Sequence, residues 1–239
     1  MLVPSDTGEL YWTAITQSDK DLTLKKLFSS NLGYTYKAFR QAMLLYEQAH
    51  DDYAFDELCG KVAESVVLYP DILALLQEAS KHDHVMAVVF TSGLKRVWEK
   101  VLAKAGLSEE VKVIGGNRVT DGYVVTGVVK AALVSHLRDN RNAHVIAFGD
   151  SPPNLRMLED ADEAVVVVGD ENTRSKSMEV ELAKAIKSGL KARQVIFPPD
   201  AASRAKGVSL VALRVSKNKH AGRGGTDTGN KLFNTTFLA

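Results

Sequence analysis

The sequence predicts an α/β protein built around a parallel, doubly wound sheet and carrying a helical insertion. From about residue 68 onward, apolar runs rich in β-branched residues alternate with segments of helical periodicity. Several of these runs have no polar side, which is typical of strands covered on both faces. Residues 8–66 instead contain several helical patterns and no strand pattern.

The elements of the α/β part follow one another at regular intervals. Pro70 stands where a helix begins, a position that suits its missing N–H. The run at residues 85–90 predicts a strand, and the helical stripe after it ends at Gly106. Helical segments separate the further predicted strands, which are residues 111–114, 144–148, 164–168 and 195–197. Such alternation favours right-handed crossovers in a parallel sheet.

The chain divides into three predicted parts. Residues 8–66 form a helical cap, in which apolar and aromatic residues recur at spacings of three and four. Residues 67–200 form the α/β core, with residues 1–7 as its N-terminal remnant, and the C-terminal extension 201–239 is Gly-rich and largely disordered. The cap would cover a site at the sheet edge; the alternative is that its helices pack on one face of the sheet.

Composition restricts the classes of partner. A formal net charge of +1 gives no electrostatic case for nucleic acid or an anionic membrane surface. The single cysteine, Cys59, excludes an internal disulfide and is interpreted as a small core residue rather than a nucleophile. The sequence shows neither a secretory signal nor an apolar run of about 20 residues. We therefore expect a cytoplasmic protein.

The most informative motif is A147-F-G-D-S-P-P-N-L-R-M-L158, directly after a predicted strand. Asp150 places a carboxylate at the carboxyl end of that strand, where a hard cation can bind. Asn154 can add a neutral oxygen to the same site. The alternative for Asp150 is an ordinary helix N-cap.

Two further polar sites lie at corresponding positions. Thr91, Ser92 and Gly93 follow the strand at 85–90, where hydroxyls and backbone N–H groups can cradle an anion. Lys130 begins the helix that leads to the next strand, so its ammonium can neutralise a phosphate. Helix capping by Thr91 or Ser92 and simple solvation of Lys130 are the alternatives.

The order of a hydroxyl, a lysine and Gly-Asp resembles the haloacid dehalogenase (HAD) superfamily of phosphohydrolases. V67-L-Y-P-D-I-L-A-L-L76 and V88-V-F-T-S-G-L94 resemble the branch that includes phosphoserine phosphatases, which also has a helical cap. The resemblance implies that Thr91 and Lys130 are catalytic and bind phosphate, together with Ser92 and Gly93. It also implies that Asp150 and Asn154 bind Mg²⁺. Because the family usually has aspartate where Asn154 stands, we expect weak metal binding. The resemblance also implies that the ligand is a small phosphorylated metabolite.

One feature of the family is not found in the sequence. Its nucleophile and its general acid lie in an Asp-x-Asp-x-Thr motif on the first, central strand, whereas Leu2-Val3 resembles the segment that comes after that motif. We therefore expect a phosphatase-like chain that lacks this strand and is inactive or truncated; the alternative is a non-catalytic phosphate- or partner-binding pseudophosphatase. The sequence lacks the dinucleotide-binding G-x-G-x-x-G motif, the P-loop motif and the G-x-S-x-G motif. It therefore does not predict a nucleotide-binding dehydrogenase, a P-loop ATPase or an esterase of the common type.

Overall fold

The computed structural model of this chain describes residues 7–15, 24–121, 124–168 and 176–196. Most of the predicted N-terminal remnant and all of the predicted extension 201–239 lie outside the described residues. The described chain forms two compact units, an N-terminal unit within Leu2–Thr126 and a C-terminal unit from Gly127 onward.

The N-terminal unit contains six helices and two strands among its described residues. They are α1 (Thr7–Ile15), α2 (Leu24–Ser29), α3 (Tyr36–Ala49), α4 (Asp52–Ser65), α5 (Pro70–Ala79), β1 (Ala87–Phe90), α6 (Lys95–Lys104) and β2 (Val111–Ile114), followed by a 3-10 turn at Val119–Asp121. Local chemistry sets several helix ends. The Thr35 and Asp51 side chains cap α3 and α4, and Gly106, with φ of +70°, follows α6.

Strands β1 and β2 are parallel, with Ala87 opposite Val111 and Phe90 opposite Ile114. Helix α4 packs against α6, and α1 packs against α4. The core of this unit is aromatic and includes Tyr11, Tyr46 and Phe55, each 1% exposed or less.

The C-terminal unit is a three-stranded parallel sheet with helices. Its described elements are α7 (Gly127–Arg141), β3 (Ile146–Gly149), a 3-10 turn at Pro152–Asn154, α8 (Leu155–Asp160), β4 (Glu163–Val168), α9 (Lys176–Lys187) and β5 (Ala192–Ile196). Strand β4 lies between β3 and β5. The inner residues Ala164–Val167 are all 5% exposed or less, as predicted from a strand with no polar side.

The parallel α/β class is confirmed, and the described strands pair in two groups. In the described residues, β1 pairs only with β2, and β3 pairs only with β4. Strand β1 also begins two residues later than predicted, because Val85 and Met86 are exposed and do not pair. The missing first strand and the boundary between cap and core stay predictions.

Helices of membrane-spanning length and hydropathy do not occur in the described parts of the chain.

Candidate functional site

Thr91 lies directly after β1 in the N-terminal unit. Its backbone N–H continues the strand pairing by donating to the Ile114 carbonyl over 2.9 Å, and its side chain is buried. Thr91 Oγ1 accepts a hydrogen bond from the Gly93 N–H over 2.9 Å. The N-cap of α6 is Leu94, so Thr91 does not cap that helix. The anion-binding role of Thr91 stays a prediction.

Two glycines allow the backbone to pass close to Thr91. A Cβ on Gly115 would lie 2.5 Å from Thr91 Cγ2 and 2.9 Å from the Thr91 carbonyl oxygen. A Cβ on Gly93 would lie 3.3 Å from Thr7 Oγ1 and 3.4 Å from Thr91 Oγ1. Two buried hydroxyls thus flank Gly93 on the side where its own side chain is missing. Ser92 Oγ is also buried, and within the described residues it has no hydrogen-bond partner.

Lys130 lies in the first turn of α7 in the C-terminal unit. Its side chain is buried, at 7% exposed, and Nζ donates a hydrogen bond to Asn154 Oδ1 over 2.9 Å. The start of α7 comes very close to the following turn, because a Cβ on Gly127 would overlap the Pro153 carbonyl oxygen. This close contact, which only glycine permits, brings the first turn of α7 against the loop that carries Asn154.

Asn154 connects Lys130 with Asp150. Its Nδ2 donates to Asp150 Oδ1 over 3.1 Å and to Ser151 Oγ over 2.8 Å, while its Oδ1 accepts from Lys130. The 3-10 turn after β3 has Ser151 as its N-cap, so Asp150 is not a cap. A Cβ on Gly149 would lie 2.7 Å from Asn154 Cβ, which shows how tightly this loop folds.

The charge of Lys130 is incompletely compensated. Burial lowers the pKa of Lys130 to about 8, and the charge of Asp150 opposes that shift. A buried ammonium that donates to a neutral amide is stabilised less than one that donates to an anion. A negatively charged group beside Lys130 would therefore stabilise its ammonium further.

Among the described residues, the oxygen donors beside Asp150 do not fit a Mg²⁺ site. The Asn154 oxygen that the sequence assigns to the metal instead accepts from the Lys130 ammonium. That leaves the Asp150 carboxylate, and Mg²⁺ requires several oxygen ligands in octahedral geometry. In the part of the chain that the structure describes, no group of three His, Cys, Asp or Glu residues could hold a metal ion.

An Asp-x-Asp pair occurs in the described residues, but it serves the structure. Ser135 Oγ donates to Asp160, while Arg138 and the Val145 backbone N–H donate to Asp162. This pair precedes β4 rather than following a strand. It thus does not lie at the carboxyl end of a strand, as Thr91 does after β1 and Asp150 does after β3.

The structure brings together three of the predicted site residues, Lys130, Asp150 and Asn154. Thr91, Ser92 and Gly93 form a second group within the other unit, and convergence of the two groups stays a prediction. The sequence interpretation missed Asn117 and Arg118, both buried after β2. A signal was present, since G115-G-N-R118 follows the predicted strand at 111–114 just as T91-S-G93 follows its neighbour.

Cys59 is fully buried, and burial raises the pKa of its thiol to about 12. A thiol that stays protonated is a poor nucleophile, in agreement with its predicted place in the core.

Comparison with known proteins agrees with the order of these motifs. The family model of haloacid dehalogenase-like hydrolases matches residues 2–159, which include Thr91, Lys130, Asp150 and Asn154. No curated protein matches the chain. Because the match covers more than half of the sequence, the chain belongs to the haloacid dehalogenase-like hydrolase family.

Proposed function

We propose that this chain binds the phosphoryl group of a small phosphorylated metabolite. Its contacts would be the residues that the sequence indicates, namely Lys130, Thr91, Ser92 and Gly93. Membership of a family of phosphatase-type hydrolases supports this ligand class. A cytoplasmic location, and partners that include neither nucleic acid nor a membrane, belong to the same proposal.

The observation that carries the proposal is the buried Lys130 ammonium. It is 7% exposed and hydrogen-bonded to an uncharged amide oxygen. A phosphate dianion beside Lys130 would give the ammonium a negatively charged acceptor, which forms a stronger hydrogen bond than a neutral amide oxygen does. Bound phosphate would therefore raise the pKa of Lys130 from about 8 toward its ordinary value.

We further propose that the described residues bind the ester without hydrolysing it. Hydrolysis by the family route needs a carboxylate nucleophile and a second carboxylate as acid and base. Asp150 Oδ1 accepts from Asn154, and Asp160 and Asp162 are both hydrogen-bonded elsewhere. In this proposal the chain is a phosphatase-like relative that is inactive, with a non-catalytic pseudophosphatase as the alternative, and a phosphoserine-phosphatase-like origin belongs to the same proposal.

The proposal is tested by calorimetric titration with inorganic phosphate at pH 7. The affinity of wild type should fall at least about tenfold in Lys130→Met and in Thr91→Val, since each loses about one polar contact worth 1.4 kcal/mol or more. The exposed residues Lys112 and Thr120 supply matched controls, and Lys112→Met and Thr120→Val should bind as wild type does. Circular dichroism confirms that each variant is folded.

A wild-type protein that does not bind phosphate would refute the binding proposal, and so would unchanged affinity in both site variants. Turnover is measured separately with p-nitrophenyl phosphate and Mg²⁺. Activity that disappears in Asp150→Ala would refute the non-catalytic interpretation and leave the binding proposal standing.

A further inference from the structure

Thr7, the first residue of α1, has a buried side chain whose hydroxyl the fold does not use. The residue is 5% exposed, and within the described residues no group accepts a hydrogen bond from its hydroxyl or donates one to it. Native proteins leave few buried polar groups without a partner, because each such group destabilises the folded state. A buried hydroxyl of this kind is a candidate for contact with a ligand.

The Thr7 hydroxyl lies beside the Thr91 group. Its oxygen is 3.3 Å from the point that a Cβ on Gly93 would occupy, and Thr91 Oγ1 is 3.4 Å from the same point. Apart from Gly93 and its chain neighbours, no other heavy atom of the described residues lies within 4 Å of that point. Two hydroxyl oxygens thus line one common space, and a ligand atom that approaches Gly93 from this side would meet both.

The backbone conformation does not require glycine at residue 93. Its φ lies outside the left-handed region, in contrast to Gly106 at +70°. Backbone packing does not require it either. A Cβ on Gly127 would lie 2.4 Å from a carbonyl oxygen, whereas the atoms that restrict a side chain at Gly93 are the two hydroxyl oxygens. Close approach of a ligand to the backbone is a further reason for glycine, and it fits this position.

The hydrogen bonds already made here indicate what the space would bind. Thr91 Oγ1 accepts from the Gly93 N–H over 2.9 Å, which leaves its own O–H free to donate. The Thr7 hydroxyl can donate in the same way. Two donors at one space favour an acceptor with several lone pairs, such as a phosphoryl oxygen. Because Thr7 begins α1, the positive end of that helix dipole also favours a negative charge there.

We propose that Thr7 and Thr91 both donate hydrogen bonds to a phosphoryl oxygen of the ligand in the space beside Gly93. This inference rests on the proposed function, because it adds a residue to the same phosphate site. The bound phosphoryl group then connects the start of α1 with the carboxyl end of β1.

Calorimetric titration with inorganic phosphate at pH 7 tests this role of Thr7. Thr7→Val removes the hydroxyl and keeps the shape, so the affinity should fall at least about fivefold, the effect of one net hydrogen bond. Thr7→Ser keeps the hydroxyl and should bind within about twofold of wild type. Thr13 lies exposed on the same helix, and the control variant Thr13→Val should bind as wild type does.

The melting temperature without phosphate separates a ligand contact from a structural role. Thr7→Val should melt at or above the temperature of wild type, because valine replaces a buried polar group that has no partner. A lower melting temperature, or a variant that does not fold, would show that the hydroxyl supports the fold and would overturn the inference.

The binding results also separate this inference from the proposed function. If Thr91→Val weakens phosphate binding and Thr7→Val does not, the inference is wrong and the proposed function stands. Binding by Thr7→Ser that is as weak as that of Thr7→Val would equally refute a contact through the hydroxyl. A wild-type protein that does not bind phosphate would refute both proposals.

Discussion

Asn154 shows how one amide changes the chemistry around a buried lysine. Its oxygen accepts from the Lys130 ammonium and its nitrogen donates to Asp150. An uncharged amide therefore lies between the two charged groups, where an aspartate would bring another negative charge. An aspartate at this position would pair with Lys130 directly and raise its pKa. The asparagine instead leaves an ammonium that an incoming anion can compensate.

The lowered pKa of Lys130 predicts how stability changes with pH. The folded state releases the proton near pH 8, whereas the unfolded chain holds it to about 10.5. Between these values the unfolded state binds more protons, so the free energy of unfolding rises with pH. The total rise from this group is about 3 kcal/mol, from the size of the shift.

Urea denaturation of wild type and Lys130→Met between pH 7 and 10.5 measures this contribution. The difference in unfolding free energy between the two proteins should change by about 3 kcal/mol in favour of wild type as pH rises. Saturating phosphate should move that change to higher pH. A difference that stays constant across the range would contradict the lowered pKa.

For single residues, the sequence predicted the place along a strand or helix better than the orientation of the side chain. Thr91, Lys130 and Asp150 could be located because each falls at a recognisable distance from a strand or a helix start. The direction of the Asn154 amide could not, since it depends on how closely Gly127 and Gly149 let the backbone approach.

Among the elements, the C-terminal end of α3 depends on one side chain from a distant loop. Arg118 donates to the carbonyl oxygens of Tyr46 and His50 over 3.0 and 2.7 Å and pairs with Glu47. A buried guanidinium can satisfy all three acceptors at once, and an ammonium cannot reach them in that fixed geometry.

Arg118→Lys should therefore lower the free energy of unfolding by about 2–4 kcal/mol, because it leaves buried acceptors without donors. Chemical denaturation followed by circular dichroism measures the change. Arg40 lies exposed on α3, and Arg40→Lys should stay within about 0.5 kcal/mol of wild type. Equal stability of the two variants would mean that Arg118 does not hold this helix end.

The junction of β1 and β2 gives a second prediction. A methyl group at Gly115 meets Thr91 within 3 Å, so Gly115→Ala should cost about 1–3 kcal/mol and weaken phosphate binding by displacing Thr91. Gly60 lies inside α4, where the nearest atom to an added Cβ is Lys100 Cδ at 4.0 Å. Gly60→Ala should stabilise the protein by about 0.5–1 kcal/mol. Denaturation curves that shift in the same direction for both variants would contradict these opposite effects.

Helix starts and stops were predictable where the chemistry is local. Pro70 begins α5 and Gly106 follows α6, as the sequence indicated. Strand ends were less predictable because they depend on partners. Pairing with β4 extends β5 back to Ala192, whose neighbours include Arg193 and Gln194, although the apolar pattern indicated only residues 195–197.

For the whole molecule, the sequence predicted the class and the family but not which of the described strands pair. Alternating patterns are sufficient to predict parallel α/β structure, and the order of the polar motifs was sufficient to indicate the family that matches residues 2–159. Which strands pair is a property of long-range packing. No periodicity in the sequence indicates that, in the described residues, β1 pairs with β2 and β3 pairs with β4.

Because Cys59 is buried, chemical modification of its thiol reports when the helices around it separate. It is the one cysteine of the chain, and it lies fully buried in α4 between α1 and α6. An alkylating reagent such as iodoacetamide should modify the native protein only when those helices come apart. Mass spectrometry of the adduct over time would then give the frequency of that event, and a phosphorylated ligand that holds the helices together would slow the labelling.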